Sequence, residues 1–237
     1  MSTTVEDIRF RIAAARRMLH REGCDSNVAG HVSGRAEGED AFWVTPFQYF
    51  DETIPDDVVK VDFDCNVLEG DRVISPAVQF HAEIYRARPD VGSVIHTHSH
   101  YATVLASTGQ PLGMYNVLSV LFYDDVVYHR DDGTKPPVDG VELATELGKD
   151  KHVVLIANHG AIITSGTVEN CTAEAIALEE ACHHQLDIQA HDGFEIPLAE
   201  VLRGREAYKV YWRQMMWDSN LRRLRRSDPD LFAHLAN

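Results

Sequence analysis

The chain has 237 residues, 44% of them hydrophobic, and a formal net charge of -15 from 22 Lys and Arg against 37 Asp and Glu. That length and apolar content support one sizeable core, so a single domain over residues 1–237 is expected. The acidic balance excludes nucleic acid as the default partner, because phosphate binding needs clustered positive charge; a small molecule or another protein fits better.

The opening MSTTVEDIRFRIAAARRML carries charge where a secretory signal would be continuously apolar, and no apolar run reaches bilayer-spanning length. No membrane partner and a cytoplasmic location are therefore expected. In residues 4–21, Ile8, Ile12, Ala15 and Leu19 recur at helical spacing with Thr4 placed to cap, and Glu22-Gly23-Cys24 stops the helix. Short β-rich runs follow at 42–45, 58–61 and 67–69, the last two separated by a turn and read as a hairpin. Residues 77–88 put Val78, His81, Ala82 and Tyr85 on one helical face and end at Pro89. An apolar strand begins at Val94, and another spans 153–157. Helices are expected at 167–188 and 207–226, joined by a loop, QAHDGFEIP, at 189–197. Helices and strands intermix, so the class is α/β. The four cysteines, Cys24, Cys65, Cys171 and Cys182, lie far apart without CxxC spacing, which suggests ordinary thiols rather than a zinc site or a disulfide framework.

The chemistry concentrates in VIHTHSHY, residues 94–101. Side chains alternate faces along a strand, so His96 and His98 point the same way about 7 Å apart and can share one metal ion. A third ligand must come from elsewhere in the chain. His159 is the leading candidate, ending the second apolar strand just before Gly160. Three imidazoles suit zinc, while oxygen ligands completing the shell would tolerate manganese.

The blocks Ala29-Gly30-His31-Val32-Ser33-Gly34-Arg35, Phe42-Trp43-Val44-Thr45-Pro46, Arg88-Pro89-Asp90-Val91, Val94-Ile95-His96-Thr97-His98-Ser99 and Ala157-Asn158-His159-Gly160-Ala161 resemble, in order and spacing, the class II aldolase/adducin family. The resemblance covers about residues 5–215. It implies a three-layer α/β/α sandwich around a mostly antiparallel sheet, usually in a fourfold-symmetric tetramer with sites between subunits. It also implies that His96, His98 and His159 are the metal ligands, the same three residues the spacing selects.

The chain departs from the family's sugar-phosphate aldolases at the residue that moves the proton. Those enzymes carry a Ser-Ser-Glu run whose glutamate lies four residues before the helical histidine; here the run reads Ser75-Pro76-Ala77, with His81 following. Aldol catalysis through that glutamate is excluded. The phosphate pocket is altered too, at Gly30-His31, Thr45-Pro46 and Pro76, and proline has no N–H to offer a phosphate oxygen. The family's decarboxylases of hydroxylated aromatic acids are more similar, notably those acting on 3-hydroxy-2-methylpyridine-4,5-dicarboxylate of vitamin B6 breakdown, or on dihydroxyphthalate. A divalent ion chelated by a ring hydroxyl and its carboxylate can take up the charge that develops as carbon dioxide leaves.

Such a reaction also needs a proton donor and a hold on the rest of the substrate. His100, on the same face as His98 if the strand continues, is the first candidate donor; Tyr123 and His81 come next. Tyr123 and Asp124 are placed to reach a neighbouring subunit's site. His31 and Arg35, read as part of a loop of small residues, and Ser75 are assigned to the substrate, the first two holding a second carboxylate. For each of these the alternative is a packed, exposed or salt-bridged side chain. His183-His184 lies within a helix, where adjacent residues diverge, and reads as solvated or interfacial. Val210, Met215, Met216, Trp217 and Leu221 give the last helix more apolar surface than a lone surface helix needs, so a homo-oligomer is expected. Two other functions compete with decarboxylation: aldolase or related lyase action on an unphosphorylated substrate, and an adducin-like binding module without chemistry. Ala77 argues against the first and the intact histidines against the second.

Overall fold

The computed structural model describes residues 7–133, 138–233 and 235. The first predicted helix forms as α1 (Ile8–Arg21), with Asp7 as its cap, the Asp7 carboxylate accepting from Arg9 N–H. Thr4 lies outside the described residues. Four strands follow: β1 (His31–Arg35), β2 (Ala41–Val44), β3 (Val59–Asp62) and β4 (Val67–Glu69). The predicted hairpin is β3–β4, paired with a register shift between Lys60 and Val61. A 3-10 turn at Pro76–Val78 opens α2 (Gln79–Ala87), which leads into β5 (Ser93–Thr97) and α3 (His100–Thr108). Next come β6 (Val126–His129), α4 (Gly140–Leu147), β7 (Val153–Ile156), β8 (Gly160–Ser165) and α5 (Val168–Gln189).

These strands form one eight-stranded sheet in the order β4-β3-β2-β1-β5-β8-β7-β6. Among the described residues its pairings are antiparallel except β6–β7. Strand alternation builds a separate core on each face. On β7, Val153 and Leu155 join one hydrophobic cluster with side chains of α1, α3 and α5, while Val154 and Ile156 join another with α2 and α4. Each such fully buried aliphatic side chain contributes about 1.5–3 kcal/mol.

Two expectations require correction. Residues 31–35 are not a loop: β1 lies inside the sheet between β2 and β5. Its small residues are what let neighbours close over it, since a Cβ on Gly34 would sit 2.7 Å from Ile8 Cδ1. The last long helix begins earlier than position 207. It starts as α6 (Leu198–Ala207), passes through a π turn at Tyr208–Trp212 and continues as α7 (Arg213–Ser227). Gly204 and the extra residue of the π turn interrupt the 3.6-residue repeat that would have revealed it. Residues 134–137, between β6 and α4, lie outside the described part. The cysteines are free thiols, with Cys24, Cys171 and Cys182 buried. No described helix is long and apolar enough to cross a membrane.

Candidate metal centre

The three predicted ligands converge, each delivered by a different local device. His96 is the fourth residue of β5 and 2% exposed, and its Nδ1 donates to the Ala161 carbonyl at 2.9 Å. A carbonyl can only accept, so the proton sits on Nδ1 and Nε2 offers a lone pair. That Nε2 lies 2.9 Å from Nε2 of His98. The strand ends at Thr97, and the His98 backbone is held by an N–H donated to Ser26 Oγ at 2.5 Å. His159 is carried on the tight β7–β8 turn, where Asn158 adopts a left-handed φ of 58° and His159 N–H returns to Ile156 O at 3.1 Å. Gly160 makes the turn possible: a Cβ there would stand 2.1 Å from the Thr97 carbonyl oxygen.

The ring centroids are 4.7 Å apart for His96–His98, 5.1 Å for His96–His159 and 4.8 Å for His98–His159. Their candidate ligand nitrogens all lie within 4.8 Å of one another. Nitrogens sharing a tetrahedral zinc at about 2.1 Å are about 3.4 Å apart, which is the scale of this cluster. Burial pushes all three imidazoles toward the neutral form, His98 down to about 4. Neutral imidazoles with a lone pair facing inward are the donor set a divalent ion requires. The residues fit such an ion.

Behind the ligands runs a buried polar chain. His31 pairs directly with His96 across β1–β5, their rings 5.5 Å apart. Its Nδ1 lies 3.3 Å from His81 Nε2; His81 Nδ1 is 2.7 Å from Ser33 Oγ, which is 2.8 Å from Tyr85 OH. Burial depresses the His31 and His81 pKa values and raises that of Tyr85. Both nitrogens of His81 are thus engaged within the fold. Phe80 closes the wall, its ring 5.2 Å from His96 and 5.8 Å from His31. Ser33, Tyr85, Phe80 and Ser26 are not among the site residues the sequence suggests. For the first two the signal was available: Ser33 follows His31 at strand spacing, and Tyr85 follows His81 at helical spacing.

The remaining predicted residues lie elsewhere or are already committed. Arg35 is four residues beyond His31 on β1, about 13 Å along the strand. Its guanidinium donates to the carbonyls of Tyr85 (2.6 Å), Arg88 (3.1 Å) and Val91 (3.0 Å), so it ties the end of α2 to the sheet rather than facing the histidines. His100 does not share a strand face with His98. The strand has ended, and His100 is an exposed first residue of α3, whose N-terminus is capped from α5 by Glu179 accepting from Tyr101 and Ala102 N–H, both at 2.8 Å. Ser75 caps the 3-10 turn, accepting from Ala77 N–H at 3.2 Å. Tyr123 is half-buried beside Met114, Val120 and Val201. His183 stacks on Tyr101 at 3.7 Å.

The sequence profile of the Class II Aldolase and Adducin N-terminal domain matches residues 10–186. Decarboxylase NovR of Streptomyces niveus is 31% identical, the alignment covering 94% of this chain and 86% of that protein. The 5-deoxy-D-ribulose 1-phosphate aldolase of Bacillus thuringiensis serovar kurstaki is also 31% identical, over 72% of this chain and 80% of its own length. Among solved structures, L-fuculose 1-phosphate aldolase from Glaciozyma antarctica PI12 superposes with a TM-score of 0.82 at 27% identity, covering 96% of this chain and 95% of that one.

Proposed function

We infer the function from the premise that this chain belongs to the Class II Aldolase and Adducin N-terminal domain family. Relatives in that family point to a lyase-type enzyme. We read this one as a metal-dependent carboxy-lyase that removes carbon dioxide, without oxidation, from a hydroxylated aromatic or pyridine carboxylate. A 3-hydroxy-2-methylpyridine-4,5-dicarboxylate is the most specific form of that reading. The observation that carries it is the pairing of a convergent three-histidine cluster with Ala77, whose methyl group can hold no proton where the family's aldolases have glutamate. The similarity to a relative named as a decarboxylase, over nearly the whole chain, supports the same choice.

His96, His98 and His159 would hold the ion, zinc or manganese. When bound it supplies Lewis acidity, drawing charge from substrate oxygens as the carbon–carbon bond breaks. The chain's own groups do the rest. His96 is kept in one tautomer by Ala161 O. His31 stands beside the cluster with its Nδ1 turned to His81, leaving Nε2 to meet a substrate carboxylate. The Tyr85–Ser33–His81 chain holds that ring in place, and its hydroxyl and imidazole groups can pass a proton forward without any of them being carried into solvent. Phe80 excludes water from one side. His100 and Tyr123 stay as candidate donors from outside this chain of contacts, and Ser75 as a hydroxyl near the substrate.

We place the enzyme in the cytoplasm as a homo-oligomer, a tetramer or a multiple of one, with the helices packed on both sheet faces forming a three-layer sandwich. Its surface supports association: Val210, Tyr211 and Met215 are each at least 63% exposed on the last long helix. The test is to incubate metal-loaded protein with hydroxy-dicarboxylates of the pyridine and benzene series and measure carbon dioxide. Gas release with retention of the ring is expected. Reversible cleavage of a hydroxy-ketone into two carbonyl fragments, with no gas from any carboxylate, would establish an aldolase instead.

A further inference from the structure

At the opposite end of β7 and β8 from the histidines, a cavity of about 260 Å³ opens between the sheet, the start of α5 and the π turn. We propose that this cavity is a second ligand site, one that takes a small organic oxyanion, a carboxylate or a phosphate ester. Arg205, Lys209 and Arg213 recur every fourth residue along the last helix and bring three fixed cations to this side. Two carboxylates answer them. Asp125 Oδ2 accepts from Arg205 Nη2 at 3.2 Å and Lys209 Nζ at 3.5 Å, and Glu174 Oε1 from Arg213 Nη1 at 2.8 Å. The other Asp125 oxygen is taken by His152 Nδ1 at 2.8 Å. Counting Arg205, which pairs with Asp125 from beside the cavity, one positive charge is left over even with His152 neutral, in a chain whose net charge is -15.

Four further observations agree with an anion. Arg205 Nε is buried without a hydrogen-bond partner. Burial pushes the Glu174 carboxyl up against the opposing pull of Arg213, so a negative charge there is disfavoured. Gly166 and Asn170 place the N-terminus of the 22-residue α5 at the cavity wall, and the positive end of a long helix favours an anion there. The cation that is held most loosely, Lys209, sits in the π turn itself, a feature that often marks functional sites. Leu121, Phe122 and Val153 supply an apolar floor, which suits an anion with a carbon body better than a bare ion.

The site is separate from the metal centre and does not depend on the reaction assigned to it. Full-length protein is titrated calorimetrically at constant ionic strength with succinate and with inorganic phosphate. Saturable binding of at least one is expected, with succinate the tighter. Lys209→Gln and Arg213→Gln should each weaken it about tenfold or more, as when a charge-assisted hydrogen bond is lost. His98→Ala should leave it unchanged. Lys209→Gln is the decisive variant, because its partly exposed side chain can be replaced without stranding a buried carboxylate, and circular dichroism confirms its fold. Absence of binding by both anions, undiminished binding in Lys209→Gln, or loss of binding in His98→Ala would each overturn the proposal.

Discussion

At one end of β7 and β8 the protein gathers histidines, and at the other it gathers opposite charges. Among the described residues the histidine end has no carboxylate hydrogen-bonded to His31, His81, His96, His98 or His159. Their protons are kept off by burial. The far end keeps its charges and compensates them, Asp125 staying ionised because His152, Lys209 and Arg205 outweigh its burial. The difference shows two ways of holding polar groups inside a fold. Neutral, lone-pair-bearing rings make a place for an added cation; paired ions make a latch between a helix and a sheet, and where the pairing is uneven, a place for an anion.

The sharpest break of the comparison is His96→Ala. Removing the ring that both ligates and orients should lower metal affinity by more than the ~100-fold typical of losing a supporting group. Metal content after dialysis, by elemental analysis, reads this directly; wild-type content in the variant would exclude His96 as a ligand. Asp125→Asn is the equivalent at the far end. It leaves Arg205 and Lys209 without their counter-charge, and a cost of about 1.5–3 kcal/mol in denaturant unfolding is expected, with metal content unchanged. Gly160→Ala acts on the histidine end through the backbone, because the new methyl meets the Thr97 carbonyl. A loss of about 1–3 kcal/mol should appear together with weakened metal binding, since His159 must shift.

Acid sharpens the contrast with a smaller effect. The buried histidines titrate below their unfolded value of about 6.5, His98 near 4. Between those values the unfolded chain binds more protons, so stability is full above pH ~6.5 and falls as pH drops toward the folded values. His129 runs the other way. Burial lowers its pKa, but Asp131 and Glu146, at 3.1 and 3.0 Å, outweigh burial and raise it. Its contribution is present below pH ~6.5 and lost as pH rises through the raised value. Thermal unfolding of metal-free protein from about pH 7 to 5 should show a steady fall in Tm, and bound metal should flatten it at the upper end. The smallest effect is expected for His100→Ala on stability, within about 0.5 kcal/mol, because the side chain is exposed. Its turnover decides whether the exposed ring donates a proton: unchanged kcat would remove it from the candidates.

Much of the histidine end is legible in the sequence. The period of a strand puts His96 and His98 together, and Asn-His-Gly after an apolar run announces a turn that can present a ligand. The far end is not legible, since Asp125 and His152 lie just before β6 and β7, Glu174 is on α5 and Lys209 in the π turn, and only the fourth-residue spacing of Arg205, Lys209 and Arg213 is local. Two errors have the same origin. Arg35 looked like a substrate anchor, yet α2 ends where its carbonyls take up the guanidinium. His100 looked like the next residue of a strand, yet a glutamate 79 positions later caps a helix there.

By itself the sequence determined what periodicity and chemistry can express locally: an α/β chain, apolar strands ending in histidines, a missing glutamate at Ala77, and a net acidic charge. Only the tertiary structure decided that β1 lies inside the sheet, that His31 stands opposite His96, and that Lys209 and Arg213 line one cavity with Asp125 and Glu174. Those depend on strand order and on contacts between residues far apart in the chain, and neither follows from local spacing, because each is selected by which buried faces can close on one another.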